Sequence, residues 1–213
     1  MRVRAWCVVI AVAVAVVAGC GESPPDNSET ASASPHDASS VDPSFFAWQQ
    51  AQRYGNEKAD IADTVHAVTF YSALMFRDNA RSRDELKSVT TQHTFNEYGG
   101  AKTRIYPGVR GDVTMRLISI SIHKNQASAT ATWCANKADQ KVRKRGSTQW
   151  KESYRDAPYS SYSSEFIKSA SSPTGWREAH VTDRRISNHE CADAFKHDDP
   201  ALEHTGKPAR RDK

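Results

Sequence analysis

The chain has no apolar run long enough to span a membrane, little net charge, few cysteines and no stretch with the spacing of a catalytic or ligand-binding motif. Its longest apolar run, Ala5 to Ala18, has about 14 residues against the ~20 that a spanning helix needs. The formal charge over 213 residues is +4. Arg2 and Arg4 belong to the segment read below as removable, and without them the balance falls by two. That is too close to neutral for nucleic acid or anionic lipid to be the main partner. There are four cysteines and no CxxC pair, and nothing in the residue pattern implies a metal set or a cofactor. From Gly21 to about Val41, aromatic and large aliphatic residues are missing. Such a segment cannot bury enough apolar surface to offset its ordering entropy, and it is expected to be a flexible tether.

What is present begins at the N-terminus, MRVRAWCVVIAVAVAVVAGC. A short basic region, an apolar run and small residues follow one another in the layout of a cleaved export signal. The end of that segment, Val17-Ala18-Gly19-Cys20, resembles the lipobox of bacterial lipoproteins, with Val17 where Leu is commoner. The resemblance implies a diacylglycerol on the Cys20 thiol and cleavage before it. The expected organisation is a signal over residues 1–19, a lipidated cysteine and tether over 20–42, a domain over 43–195 and a disordered polar tail over 196–213. The location implied is the outer face of the cell membrane. Two or more acyl chains anchor stably where one holds only marginally.

With Cys7 in the signal and Cys20 at the lipid site, Cys134 and Cys191 remain as an even pair in an exported domain. They are expected to form a disulfide. The competing metal or nucleophile role has little support, because His189 lies two residues before Cys191, a spacing that recurs by chance. The run Lys141-Val142-Arg143-Lys144-Arg145 is basic. It is read as a solvated loop, with contact to anionic headgroups or envelope polymers through Lys141, Arg143, Lys144 and Arg145 as the sharper alternative.

The coarse reading places Asp42 and Pro43 at the start of a short helix carrying Phe45, Phe46 and Trp48. The main helix is expected over Glu57–Arg77, with Ile61, Val65, Val68, Tyr71 and Met75 in one apolar stripe. Ser82-Arg83-Asp84-Glu85 fits a capping box before a helix with Leu86 and Val89, and a third short helix is expected near Gln92–Tyr98. After Pro107-Gly108 the period changes to two. Val113, Met115 and Leu117, then Ile118, Ile120 and Ile122, alternate on opposite parities, which predicts a β-bulge at Leu117-Ile118. A turn at Lys124-Asn125 leads into a strand with Ala127, Ala129, Ala131 and Trp133 on one face. A polar loop with Trp150, a strand around Tyr159–Ile167, a turn at Ser171–Gly175 and a strand over Trp176–Ile186 complete the series. Ala179 and Val181 are expected inward on the last strand.

Helices followed by long antiparallel strands define an α+β domain. This layout resembles the nuclear transport factor 2-like superfamily, in exported actinobacterial lipoproteins and Mce-associated proteins. The resemblance covers roughly Phe45 to Phe195 and rests on the order of parts, with no diagnostic motif. It implies N-terminal helices packed on a strongly curved antiparallel sheet, forming a cone. Fold alone does not set function. The leading expectation is a non-catalytic envelope lipoprotein binding a protein partner or a small apolar ligand. The alternatives are an isomerase or dehydratase, with His66, Tyr71, Asp78, His123, His180 and Asp183 as candidates by residue type, and an anionic contact through the basic run. His66 is read as a satisfied or exposed histidine beside the apolar stripe, and His123 and His180 are read as surface residues.

Overall fold

The computed structural model describes residues 43–75, 77, 80–98, 108–143, 147–152, 157–186, 189–197 and 199–208. Cys20, Phe76, Asp78, Lys144 and Arg145 lie outside the described residues.

The domain opens with a strand. A single 3-10 turn, Pro43–Phe45, leads into β1 (Phe46–Gln50), where a helix was expected. Pro43 does start a helical turn, but Phe46, Trp48 and Gln50 then alternate inward. That period of two commits the segment to a sheet. β1 runs parallel to β3 (Val113–Ile122), pairing Phe46 with Val113 and Gln50 with Leu117. The expected purely antiparallel sheet preceded by helices is therefore a mixed six-stranded sheet whose first strand precedes the helices.

Helix α1 (Asn56–Met75) forms close to the expected bounds. It is buried on more than one stripe, because the sheet lies against one side and α2 (Ala80–Val89) against another. Thr64, Thr69 and Ser72 are tolerated inside because their hydroxyls donate back to the carbonyls of Asp60, Val65 and Thr69 at 2.8, 2.8 and 3.0 Å. This back-bonding satisfies a buried hydroxyl without a distant partner. The capping box at Ser82 is not formed as expected. α2 starts at Ala80, so Ser82 is a buried residue inside it. Leu86 and Val89 are buried as expected. Thr91 caps α3 (Gln92–Glu97) by accepting from the Thr94 amide.

The bulge in β3 is present as a register shift against β4 (Ser128–Asn136) between Leu117 and Ser119. Along β4, Ala129, Ala131 and Trp133 face α1, and all three are buried. β4 pairs with β7 (Tyr159–Lys168) without interruption, and β7 pairs with β8 (Trp176–Ile186). The expected polar loop is partly structured. β2 (Gly108–Arg110), β5 (Lys141–Arg143) and β6 (Lys151–Glu152) make a small second sheet, so the first part of the basic run is a strand.

Cys134 points to the opposite side of β4 from Trp133. It is bonded to Cys191 on α4 (His189–His197), with a Cα–Cα distance of 5.5 Å and a sequence separation of 57. The bridge ties α4 to the outer face of the sheet. There Tyr159 stacks on Phe195 at 5.8 Å, and the buried Arg116 donates to the Ala194 carbonyl and to Gln49 Oε1. The chain beyond 195 is not a disordered tail throughout its length. It completes α4 and returns as β9 (Leu202–Thr205), antiparallel to β1 at the sheet edge. The main core fills the space between α1 and the sheet, with Phe46, Trp48, Phe70, Trp133, Phe166 and Trp176 among its largest members.

Candidate functional site at the α3–β8 margin

β8 is the edge strand of the large sheet, and α3 continues that edge. The Thr91 amide donates to the Glu178 carbonyl at 2.8 Å. The Thr94 and Thr91 hydroxyls donate to the Ala179 carbonyl at 2.6 and 3.3 Å. Three hydrogen bonds thus hold the first turn of α3 against the backbone of residues 178 and 179.

The register of β8 shifts at this place. Phe166 pairs with Glu178 and Glu165 with His180, so Ala179 is an extra residue. The bulge turns Glu178 and His180, two residues apart, to opposite sides of the strand. The inward residues are Trp176 and Glu178, both buried. Ala179 and Val181, expected inward, are only partly buried.

Glu178 is fully buried, and Tyr98 Oη donates to its Oε1 at 3.1 Å. Ser164 on β7 stands beside this carboxyl, and its hydroxyl and Glu178 Oε2 lack a hydrogen-bond partner of ordinary geometry. Burial is the largest influence on the carboxyl and raises it to about 7. The neighbouring hydroxyls of Ser164 and Tyr98 pull the other way, and the Glu97 charge adds to the rise. Burial, reinforced by Glu178, likewise pushes the Tyr98 phenol well above its usual range.

On the solvent side of the same contact, His93 and Glu97 sit one helical turn apart on α3, and His180 reaches them from β8. His93 Nε2 lies 3.3 Å from Glu97 Oε1, and His180 Nδ1 lies 4.0 Å from Glu97 Oε2. One ligand atom from each of the three can be chosen so that all lie within 4.8 Å of one another. An open, polar groove of about 330 Å³ adjoins this margin, lined by Asp84, Lys87, Ser88, Thr90, Gln92 and Arg177.

Among the described residues, the candidates named by residue type are not brought together. His66 is buried within the core, with Nε2 at 3.1 Å from the Gly206 carbonyl and Nδ1 at 3.1 Å from His204 Nε2. Desolvation, with His204 adding to it, lowers His66 to about 3, so the ring is neutral. Tyr71 is partly buried and packs on Phe70. His123 bonds to the hydroxyls of Ser128 and Thr130 at 2.9 Å each. Asp183 accepts from Arg185 at 2.8 Å. His180 is exposed as expected, and of this set it alone belongs to the margin. On the small sheet, Arg110 and Arg143 lie over the Trp150 ring at 4.4 and 5.0 Å, and Lys141 lies on the same strand as Arg143.

Sequence reading missed Glu178, Tyr98, His93 and Glu97. His93 and Glu97 carried one usable signal, the four-residue spacing that puts both on one helix face. Comparison with protein-family models, with curated protein sequences and with solved structures finds no match.

Proposed function

We propose that the chain is an exported lipoprotein of a cell envelope, held at the outer face of the membrane by acyl chains on Cys20, and that its folded part is a binding module for a partner in that envelope. The observation that carries this reading is the Cys134–Cys191 bridge. Cystines persist in oxidising, extracytoplasmic surroundings. The bridge also consumes both cysteines of the domain, which leaves Cys7 within the apolar leader and Cys20 at its end. No helix among the described residues is long and apolar enough to cross a membrane.

Binding is favoured over catalysis by burial. A general acid or base must come within about 3 Å of the proton it moves. The Glu178 carboxyl, which has the raised pKa of a catalytic acid, is enclosed beneath Tyr98. The space between α1 and the sheet is filled by aromatic side chains, and the groove beside β8 is polar. A partner surface fits these features better than a small apolar ligand does. A bulged sheet packed against α1 is consistent with a nuclear transport factor 2-like cone, although the parallel first strand and α4 on the other face depart from that plan.

The reading is tested by fractionating cells that express the full chain or its Cys20→Ala variant, with intact-mass analysis of each. Acylation at residue 20 and loss of membrane association in the variant are expected. An unacylated Cys20, or the unaltered protein free in the medium, would overturn it.

One observation favours a second use of the surface. Arg110 and Arg143 flank Trp150, an arrangement in which the ring holds two guanidinium groups by cation–π contact. With Lys141 on the same strand as Arg143, they form a basic patch suited to phosphate headgroups or an anionic polymer, and Lys144 and Arg145 follow directly in the sequence. Changing Arg143, Lys144 and Arg145 to Ala in the Cys20→Ala chain should weaken its residual association with anionic vesicles. Unchanged association would remove this reading.

A further inference from the structure

From the geometry of the α3–β8 margin we infer that His93, Glu97 and His180 form a binding site for a divalent metal ion of the zinc type, with three protein ligands and a fourth position open to water or to a donor from a bound partner. This site goes beyond the anchoring reading and does not depend on it.

The chemistry of the set is the first argument. Two imidazoles and one carboxylate suit zinc and its borderline neighbours, whereas calcium and magnesium prefer all-oxygen surroundings. Three protein ligands with one open position is the arrangement of accessible zinc sites, not of closed structural ones.

Distance is the second argument. Zinc–nitrogen and zinc–oxygen bonds of about 2.0–2.1 Å at tetrahedral angles place neighbouring ligand atoms about 3.3 Å apart. His93 Nε2 and Glu97 Oε1 stand 3.3 Å apart. His180 Nδ1 is 4.0 Å from the other oxygen of the same carboxylate. All three side chains are exposed, at 71, 38 and 53 % for His93, Glu97 and His180. The ligand atoms lie within 4.8 Å of one another, so rotation of these exposed side chains has up to about 1.5 Å to close to reach tetrahedral spacing, and the ion has a free approach.

Rigidity is the third. His93 and Glu97 are fixed relative to each other by one turn of helix. His180 is fixed relative to both because Thr91 and Thr94 bond the Ala179 carbonyl immediately before it. The same bulge that sends Glu178 inward sends His180 to the ligand side. An ordinary surface ion pair needs none of this and would involve one histidine, whereas here a single carboxylate is shared between two.

The test is zinc binding to the full chain in detergent, by equilibrium dialysis and metal analysis, for the unaltered protein and for His93→Ala, Glu97→Gln, His180→Ala and, as comparator, the exposed His189→Ala. One zinc ion per chain assignable to this set is expected. Affinity should fall about tenfold or more in each of the first three variants and stay the same in His189→Ala. Zinc binding that is absent, or equal in the unaltered chain and in the His93 and His180 variants, would overturn the inference. Cobalt(II) bound to the unaltered chain gives a check that needs no variant. Paramagnetic shifts centred on the His93 and His180 rings support the site, and shifts centred elsewhere refute it.

Discussion

His204 donates from Nε2 to Nδ1 of His66 across 3.1 Å, and His66 in turn donates from its own Nε2–H to the Gly206 carbonyl at 3.1 Å. Each proton is used once, and the two rings are joined although they stand 138 residues apart in the chain. The His66 ring is also parallel to Trp48 at 4.8 Å and to Phe46 at 5.7 Å. A neutral imidazole fits this slot, and an imidazolium would lose the acceptor that His204 needs.

That relationship predicts acid sensitivity. The folded pKa of His66 is about 3 and the ordinary value is 6.5. The unfolded chain therefore binds the extra proton between these values, and stability falls as pH drops below about 6.5. The difference is worth up to about 5 kcal/mol once pH reaches 3. Glu178 works in the opposite sense. Its folded value of about 7 lies above the usual carboxylate value of 4.5, so its contribution is present below 4.5 and lost as pH rises through 7. Urea unfolding from pH 7.5 to 4, compared between the unaltered chain and His66→Phe, isolates the histidine. The pH slope of the difference should be clear, with the unaltered chain losing stability faster on acidification. Identical slopes would contradict the assignment.

The cystine makes a second prediction. Closing a loop with 57 residues of separation removes denatured-state entropy worth about 4 kcal/mol. Cys134→Ser with Cys191→Ser, or reduction of the intact chain, should lower unfolding stability by about that amount. Protease cleavage should then appear first around α4, whose remaining contacts include the Tyr159–Phe195 stack and the Arg116 hydrogen bond. A reduced chain with unchanged denaturation midpoint would show that the outer face holds without its bridge.

A third prediction concerns the join between β2 and β3. Gly111 has φ +90°, and a Cβ there would lie 1.9 Å from the Asp139 carbonyl oxygen. Both the backbone conformation and the space require glycine. Gly111→Ala should cost on the order of 3 kcal/mol or prevent folding of the small sheet. Thermal melts of the variant decide the matter, and an unshifted transition would mean that the 111–139 contact is not made.

Much of the chain could be read in advance because its signals are local. The parities of Leu117 and Ile118 announced the bulge, and the alanine row of β4 announced its inner face. The pairing of Cys134 with Cys191 followed from counting thiols. β1 was misread because a Pro-based helix start precedes it, while its partner β3 is distant in sequence and parallel. β9 was missed for a different reason. Leu202-Glu203-His204-Thr205 has little apolar content, and its place is set by backbone hydrogen bonds along β1. Glu178 was hidden by the bulge at Ala179, which reverses the inward parity that the apolar residues Ala179 and Val181 suggested. The His93–Glu97–His180 group depends on a contact between elements more than eighty residues apart, which no spacing rule reports.

A Cβ on Gly206 would meet the Pro43 ring at 3.4 Å, and the Gly206 amide donates to the Phe46 carbonyl at 2.8 Å. The polypeptide thus comes into the domain and goes out of it at one corner, beside β1 and β9. β8 closes the opposite margin of the same sheet, five inter-strand steps away, or about 24 Å at the usual ~4.8 Å per step. His93, Glu97 and His180 stand at that β8 margin, whereas Pro43 and Gly206 stand at the margin formed by β1 and β9.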